Sequence, residues 1–414
     1  MKNSGLAEKA FWSLLSQISS RGSLMLSAII LTRSLDPHAF ASYSYFQLTV
    51  SMLSAYAAMG LGVTSSRYFS EVGHERSGQE LFPLGVLWGL SILFALAAFI
   101  FLILMPGRWL SAGLFIPQWL LALGVLALTL EIVPGGAILG LEKYKQASLI
   151  SVFSGGLMIL GACVASRNAT PSIAMGSIVL AAFLQGVGET FIVIRAVGWR
   201  RIATRAHSIG SSIGRVLVFA GPMLLVSLMA ASGSWLLGRL ILLTPGGAHA
   251  FAMYSIGLQW FAFVLVLPGM VSRVLLPRVV RNANASVEEQ RALIWQGIRM
   301  AGTTALVVAL IGLILAPEIM KIYGAQYDGG RWFLGGYLLA AVLIAPANTI
   351  GNAIVASNGQ KQWLGLTAVW LGVLISVGVI MLLLGGVPGS MALAGAAVVQ
   401  TTLAFYIARS RNLI

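Results

Sequence analysis

Leu84-Gly-Val-Leu-Trp-Gly-Leu-Ser-Ile-Leu-Phe-Ala-Leu-Ala-Ala-Phe-Ile-Phe-Leu-Ile-Leu-Met105 contains no charged side chain and does not alternate between apolar and polar positions. A barrel strand does alternate, and it is short. A block of this length forms a helix that closes its own backbone hydrogen bonds and bridges the ~30 Å hydrocarbon core, which takes roughly 20 residues. Val373 to Gly386 reads the same way. The rest of the chain agrees: of 414 residues 58% are hydrophobic and 9% charged, and the mean hydropathy is +0.90. A soluble domain carries roughly 25% charged residues, so this chain has too little polar material to cover a water-facing surface. It reads as an all-α integral membrane protein.

Polar breaks separate about twelve such segments, at 10–32, 41–63, 81–104, 116–140, 147–165, 173–197, 214–243, 250–276, 292–316, 333–356, 362–385 and 388–408. The first is too long for a cleaved signal peptide, carries Arg21 at mid-depth and lacks a small-residue cleavage site. With both termini on one side, the lysines and arginines in the loops and at the segment ends divide 18 to 6, while Arg21 and Arg299 lie deeper within segments. The richer side is cytoplasmic by the positive-inside rule, and it holds both termini and the basic stretch 195–215. The net charge of +14 lies scattered between apolar blocks rather than on one soluble face. It therefore reads as an orientation signal and a contact for anionic lipid, and nucleic acid is excluded as a partner. The single Cys163 rules out an intrachain disulfide and a cysteine-based metal site, and is expected as a small core residue.

His38-Ala-Phe-Ala-Ser-Tyr-Ser44 returns as His249-Ala-Phe-Ala-Met-Tyr-Ser255, with six matches in seven at an offset of 211. The same offset pairs Met59 with Met270 and Arg67 with Arg278. Each copy opens the second helix of a six-helix set. Either the chain is duplicated, or two helix starts share one solution of polar cap, small residue and interfacial aromatic. Duplication with an even helix number gives two bundles of one orientation, 1–205 and 206–414, as in transporters built from parallel repeats around a central cavity. Nothing resembles a pore filter.

The stretch from Arg21-Gly22 through Leu31-Thr32-Arg33-Ser34-Leu35-Asp36-Pro37-His38-Ala39-Phe40-Ala41-Ser42-Tyr43 resembles the opening of bacterial polysaccharide flippases. These are the O-antigen (Wzx-type) transporters of the multidrug/oligosaccharidyl-lipid/polysaccharide (MOP) superfamily. In that family a first helix ends in Arg-x-Leu-Gly-Pro, and an aromatic, a small residue and Tyr open the second. Ser34 and Asp36 depart from the pattern, Asp36 standing where Gly is usual. Leu267-Pro268-Gly269 with Leu276-Pro277 is similar to the family's eighth-helix ending, Ile322-Tyr323-Gly324-Ala325-Gln326-Tyr327 to an external loop, and Ala356-Ser357-Asn358-Gly359-Gln360-Lys361 to the turn after helix ten. The resemblance implies a MOP-type fold. It also implies a carrier that moves an undecaprenyl-pyrophosphate-linked sugar repeat unit from the cytoplasmic to the outer leaflet of a bacterial inner membrane by alternating access. The bilayer, a polysaccharide polymerase and a chain-length regulator are its implied partners.

Ionised side chains within spans need a partner or a wet cavity, because they cost roughly 3 kcal/mol at the bilayer centre. Arg21 lies about 16 Å into the first span at 1.5 Å per residue. Ser13, Ser16, Gln17, Ser20, Ser23 and Ser27 form a polar stripe beside it. Arg21 and Gln17 are therefore candidates to meet pyrophosphate or sugar, or Arg21 forms a structural ion pair. Glu131 is the deepest acid, three residues before Pro134, and is either an ion-coupling group or the partner of Arg21. Gln185 and Glu189, one turn apart nearer the cytoplasmic end of the sixth span, are either solvated or functional. Arg239, near the outer end of the seventh span, snorkels or binds an anion. Arg299, about two turns into the ninth from the cytoplasm, receives a headgroup or rests on lipid phosphate. Asn348 and Asn352 share a helix face after Pro346 and either bind sugar hydroxyls or hold helices together.

No catalytic residues, cofactor or metal are expected. The four histidines are scattered, and no phosphate-binding loop ending in Gly-Lys-Ser/Thr is present. An enzyme of the same pathway would need a large external loop, and the longest here, about 316–332, carries Glu318, Lys321, Asp328 and Arg331 as solvated charge. The alternative to the flippase is a multidrug or organic-cation antiporter of the same superfamily, which calls for an acid-lined cavity.

Overall fold

A computed structural model describes the chain except residues 1, 59, 72–83, 200–208, 271–286, 329, 358 and 387–388. Met59, His74, His207, Leu276, Pro277, Arg278 and Asn358 of the sequence reading lie outside the described residues, as do residues 200–208 of the basic linker.

The described parts of the twelve apolar segments are helical apart from a few end residues and two breaks, at Gly60 and at Leu265. The first half runs α1 (Lys2–Ser34), α2 (Pro37–Ala58), α3 (Leu61–Glu71), α4 (Leu84–Leu104), the short α5 (Arg108–Ser111), α6 (Gln118–Gly140), α7 (Tyr144–Asn168) and α8 (Pro171–Val197). The second runs α9 (Ile209–Leu242), α10 (Gly247–Val264), α11 (Val287–Ile314), α12 (Ala316–Tyr323), α13 (Arg331–Ala356), α14 (Gln360–Leu383) and α15 (Ser390–Ser410). No strand occurs among the described residues. Ten of the described helices are long and apolar enough to cross a membrane, or eleven when α2 and α3, bent by 57° where Gly60 takes φ 74°, form one span. That pair is the segment expected at 41–63. The segment expected at 250–276 is α10 with helix again at 266–270, its remainder lying outside the described residues.

The chain forms two compact units, Met1–Ala231 and Ser232–Ile414, dividing inside α9. In the first, α6 packs against α2, α3, α4, α7 and α8, while α1 lies along α7. In the second, α13 packs against α10, α11, α12, α14 and α15. These two helices are 61% buried over their apolar windows, against 22–39% for the other spans, so each is the hub of its unit. Each also carries an internal proline, Pro134 and Pro346.

Lipid tails are as apolar as leucine, so helices in a membrane associate by close contact and by polar groups rather than by hydrophobic exclusion. At the α3–α6 crossing a Cβ on Gly136 would stand 2.2 Å from the Gly62 carbonyl oxygen, and one on Gly140 2.3 Å from that of Ser66. Only hydrogen fits between those backbones. Pro134 removes the amide donor that Leu130 would use. Donors from neighbouring helices reach the α6 backbone close by: Ser65 Oγ donates to the Val133 carbonyl at 2.8 Å and Ser91 Oγ to that of Thr129 at 3.1 Å.

The repeated heptapeptide plays one part in both units. Phe40 and Tyr43 stack with ring centroids 6.2 Å apart at the start of α2, and Phe251 and Tyr254 contact at 5.7 Å in α10, all four rings buried. Each copy packs on its own hub. Cys163 corrects the sequence reading: it is exposed on α7 rather than part of a core. The outward face of a spanning helix is as apolar as the inward one, so hydropathy does not separate them.

Candidate functional site

The deepest polar constellation of the first unit lies where α6 meets α8. Gln185 Nε2 donates to Glu131 Oε1 at 2.9 Å and to Glu189 Oε1 at 3.2 Å, so one amide group bridges two carboxyl groups from different helices. Glycines make the approach possible. A Cβ on Gly186 would stand 3.2 Å from the Glu131 Cα, and one on Gly135 would lie 3.1 Å from Glu189 Oε2 and 3.7 Å from Glu131 Oε1. Glu189 is 4% exposed, and its Oε2 has no hydrogen-bond partner among the described residues. The solvated alternative for Glu189 is thereby ruled out in this structure: α8 continues two more turns to Val197, which leaves the carboxyl group well inside the helix. Glu131 bonds Gln185 and not Arg21.

On α1 the serine stripe is largely a packing face. Ser16 Oγ bonds Ser151 Oγ at 2.9 Å, and Ser23 sits so close to Gly155 of α7 that a Cβ there would fall 2.1 Å from its oxygen. Ser23 returns its own hydroxyl to the Ser19 carbonyl at 2.6 Å, and Ser27 is buried. Gln17 is half-buried, whereas Ser20 and Arg21 are exposed on the surface of the first unit.

The other four candidates belong to the second unit. Arg239, in the last turn of α9, holds its guanidinium 5.6 Å from the centre of the Trp235 ring one turn earlier, and its Nη1 is buried with no hydrogen-bond partner among the described residues. Arg299 lies exposed on α11, where with Ala292, Trp295, Gln296 and Met300 it lines an open groove of about 430 Å³. Trp295 is braced by Phe405 of α15, the ring centroids 6.2 Å apart. Asn348 and Asn352 are exposed on one face of the hub α13, four residues apart. Among the described residues no hydrogen bond or ion pair joins these four to one another, so the structure presents separate polar positions on α9, α11 and α13.

The charges of the stretch 316–332 are engaged at the surface. Glu318 accepts from Lys321 at 3.0 Å with both side chains exposed, and Arg331 lies 4.9 Å over the Trp332 ring. The loop motif 322–327 is tucked in: Tyr323 and Tyr327 are buried, and Tyr327 stacks on His249 at 5.3 Å. The turn after α13 is held by Arg411, whose Nη1 donates to Ser357 Oγ at 3.1 Å and to the Ile354 carbonyl at 3.4 Å. Among the described residues no cluster of His, Cys, Asp and Glu has the makings of a metal site.

A family model described as polysaccharide biosynthesis protein matches residues 6–283. The chain is 23% identical over 375 residues to the EPS I polysaccharide export inner membrane protein EpsE of Ralstonia solanacearum, covering 89% of this chain and 85% of that protein. The protein of the same name from Ralstonia nicotianae is 22% identical over 394 residues, with the same coverage. Among solved structures, an inward-facing multidrug resistance MATE family transporter of the MOP superfamily superposes with a TM-score of 0.75 at 16% identity, covering 96% of this chain and 94% of that one. A MOP superfamily transporter from Pyrococcus furiosus, whose title reports reversed polarity of the binding pocket, superposes with a TM-score of 0.70 at 15% identity, covering 97% and 94%. The fold is that of the MOP superfamily.

Proposed function

The chain belongs to the polysaccharide biosynthesis protein family, and from that premise we propose that it is a flippase for an undecaprenyl-pyrophosphate-linked oligosaccharide, the repeat unit of an O-antigen or another surface polysaccharide. It acts by alternating access in a bacterial inner membrane, with both termini cytoplasmic. The observation that carries this reading is the state of two intramembrane cations. Among the described residues neither Arg239 nor Arg299 is paired with a carboxylate, and the buried Nη1 of Arg239 has no hydrogen-bond partner. A pyrophosphate cannot cross hydrocarbon unpaired, and a retained guanidinium is costly there unless something offsets it. Arg21, Arg239 and Arg299 meet the anionic head, while Gln17, Asn348 and Asn352 bond sugar hydroxyls. Glu131 belongs to ion coupling. A polymerase and a chain-length regulator act on what it delivers.

The test is reconstitution of the full chain into vesicles with a pyrophosphate-linked oligosaccharide, scoring its arrival in the opposite leaflet with an impermeant lectin. Delivery by the wild type, slowed at least ~tenfold in Arg239→Ala and Arg299→Ala, is the expected result; a tenfold loss corresponds to about 1.4 kcal/mol. Organic-cation export is the second reading, favoured by the acidic pair on α6 and α8. A fluorescent organic cation moved by the same vesicles, with no movement of the oligosaccharide, would establish it instead.

A further inference from the structure

Two acids on different spanning helices, bridged by a single amide, are an arrangement that the anion-binding role does not use. The geometry points to a site for one exchangeable proton, shared by the carboxyl groups of Glu131 and Glu189 across the α6–α8 contact, with Gln185 as the positioning residue that holds them in register.

Three observations converge on it. Both carboxyl groups lie within hydrogen-bond reach of one nitrogen, Gln185 Nε2, at 2.9 and 3.2 Å. Glu189 is 4% exposed, yet its Oε2 has no hydrogen-bond partner among the described residues and faces the side of Gly135, where the Glu131 carboxyl group also lies. The pair stands beside Pro134, where the hub α6 has lost a backbone hydrogen bond.

Other charges do not answer the pair. Glu131 is the one ionisable residue of α6, and α4 has none. The charged side chains of the remaining packed helices are Arg67 and Glu71 on α3, Lys145 and Arg167 on α7, Arg195 on α8 and the titratable His38 on α2. Glu71 lies at the far end of α3, outside the described side chains; among the described residues none of the others bonds either carboxyl group, and neither do Tyr43, Tyr45 and Tyr56 of α2, Tyr68 of α3 or Tyr144 of α7. Two carboxylates this close in apolar surroundings repel strongly. One proton added to either removes one charge and supplies an O–H donor, and its release to water restores the second carboxylate. Repulsion then acts across the contact between the hub helix and α8, at the point where α6 bends most easily. An amide N–H facing both oxygens suits a carboxyl–carboxylate pair that holds one proton, and the test below separates the proton from sodium.

What the proton drives rests on the transport reading above; the site itself is tested without any substrate. The full chain in lipid nanodiscs is examined by infrared difference spectroscopy for a protonated carboxyl C=O band, with hydrogen–deuterium exchange identifying it. The expected result is one such band per chain at neutral pH, lost in the near-isosteric Glu131→Gln/Glu189→Gln double variant and shifted in frequency by Gln185→Leu. A wild type without the band, or a band that survives the double variant, overturns the inference, and so does a carboxylate signal that responds to sodium but not to pH. Size-exclusion profiles identify any variant that fails to fold, in which case Glu131→Gln alone, shifting or removing the band, decides the point. A proton site found in a chain that moves no oligosaccharide removes only the transport reading. Oligosaccharide movement without the band removes only the proton site.

Discussion

Arg239 concentrates the physical problem at the scale of one residue. Its Trp235 neighbour offers a ring face to the cation, a contact that contributes roughly 0.5–2 kcal/mol, but a ring accepts no hydrogen bond in the guanidinium plane and leaves Nη1 unsatisfied. An anionic oxygen would satisfy it. Arg239→Lys should therefore recover part of the activity that Arg239→Ala loses, because charge remains while the planar donor fork does not; equal loss in both variants would mean that the fork matters and the charge does not. Outside the spans the same chemistry has smaller consequences. Lys9 bonds Glu142, and that hydrogen bond, followed by the Glu142 charge, raises the Lys9 pKa above the ordinary 10.5. A raised folded value means that the pair's contribution is complete below the lysine's unfolded pKa and is lost as pH climbs through the folded one, so only above about 10.5. Both side chains are more than half exposed, which limits the contribution to under ~1 kcal/mol. Lys9→Ala should lower the melting temperature in detergent slightly at pH 7, and the difference should vanish in strong alkali.

Elements are where glycine and proline decide the packing. Gly136 and Gly140 let α6 touch the backbone of α3, and a larger side chain meets carbonyl oxygen rather than a movable side chain. Gly136→Leu is expected to destabilise the first unit by ~1–3 kcal/mol or more, read as a loss of monodisperse protein on heating, whereas Gly156→Leu, where a Cβ has open space, should be tolerated. The helices themselves were legible in the sequence because hydrocarbon demands long apolar runs: helix occupies the described part of each of the twelve segments, and ten of the described helices, or eleven with the bent α2–α3 pair as one, are long and apolar enough to cross a membrane. Their faces were not. Cys163 read as core and is exposed, and the α1 serines read as one polar stripe although Ser16 and Ser23 face α7 while Ser20 is exposed. Glu189 read as equally solvated or functional. Its spacing of four from Gln185 was visible, but the bridge to Glu131 depends on a contact between helices 54 residues apart in sequence, which no local pattern encodes.

The molecule as a whole repeats one plan, a proline-bearing hub helix surrounded by its unit, entered through the same buried aromatic pair. Both copies of the heptapeptide place a buried aromatic pair in a helix that packs on its hub. The acid pair belongs to the first unit, and Arg239 and Arg299, with no carboxylate partner among the described residues, to the second, so the two units differ in charge. The proposed topology places both termini in the cytoplasm, so Ser410→Cys in a Cys163→Ala background should be closed to an impermeant maleimide in intact cells and Asn168→Cys should be labelled; the reverse pattern would invert the topology. The most direct measurement of the central claim is leaflet-to-leaflet movement of a pyrophosphate-linked oligosaccharide in vesicles carrying the purified chain. The account predicts movement that Arg239→Ala and Arg299→Ala each slow by at least ~tenfold. Movement unchanged in both variants would contradict it.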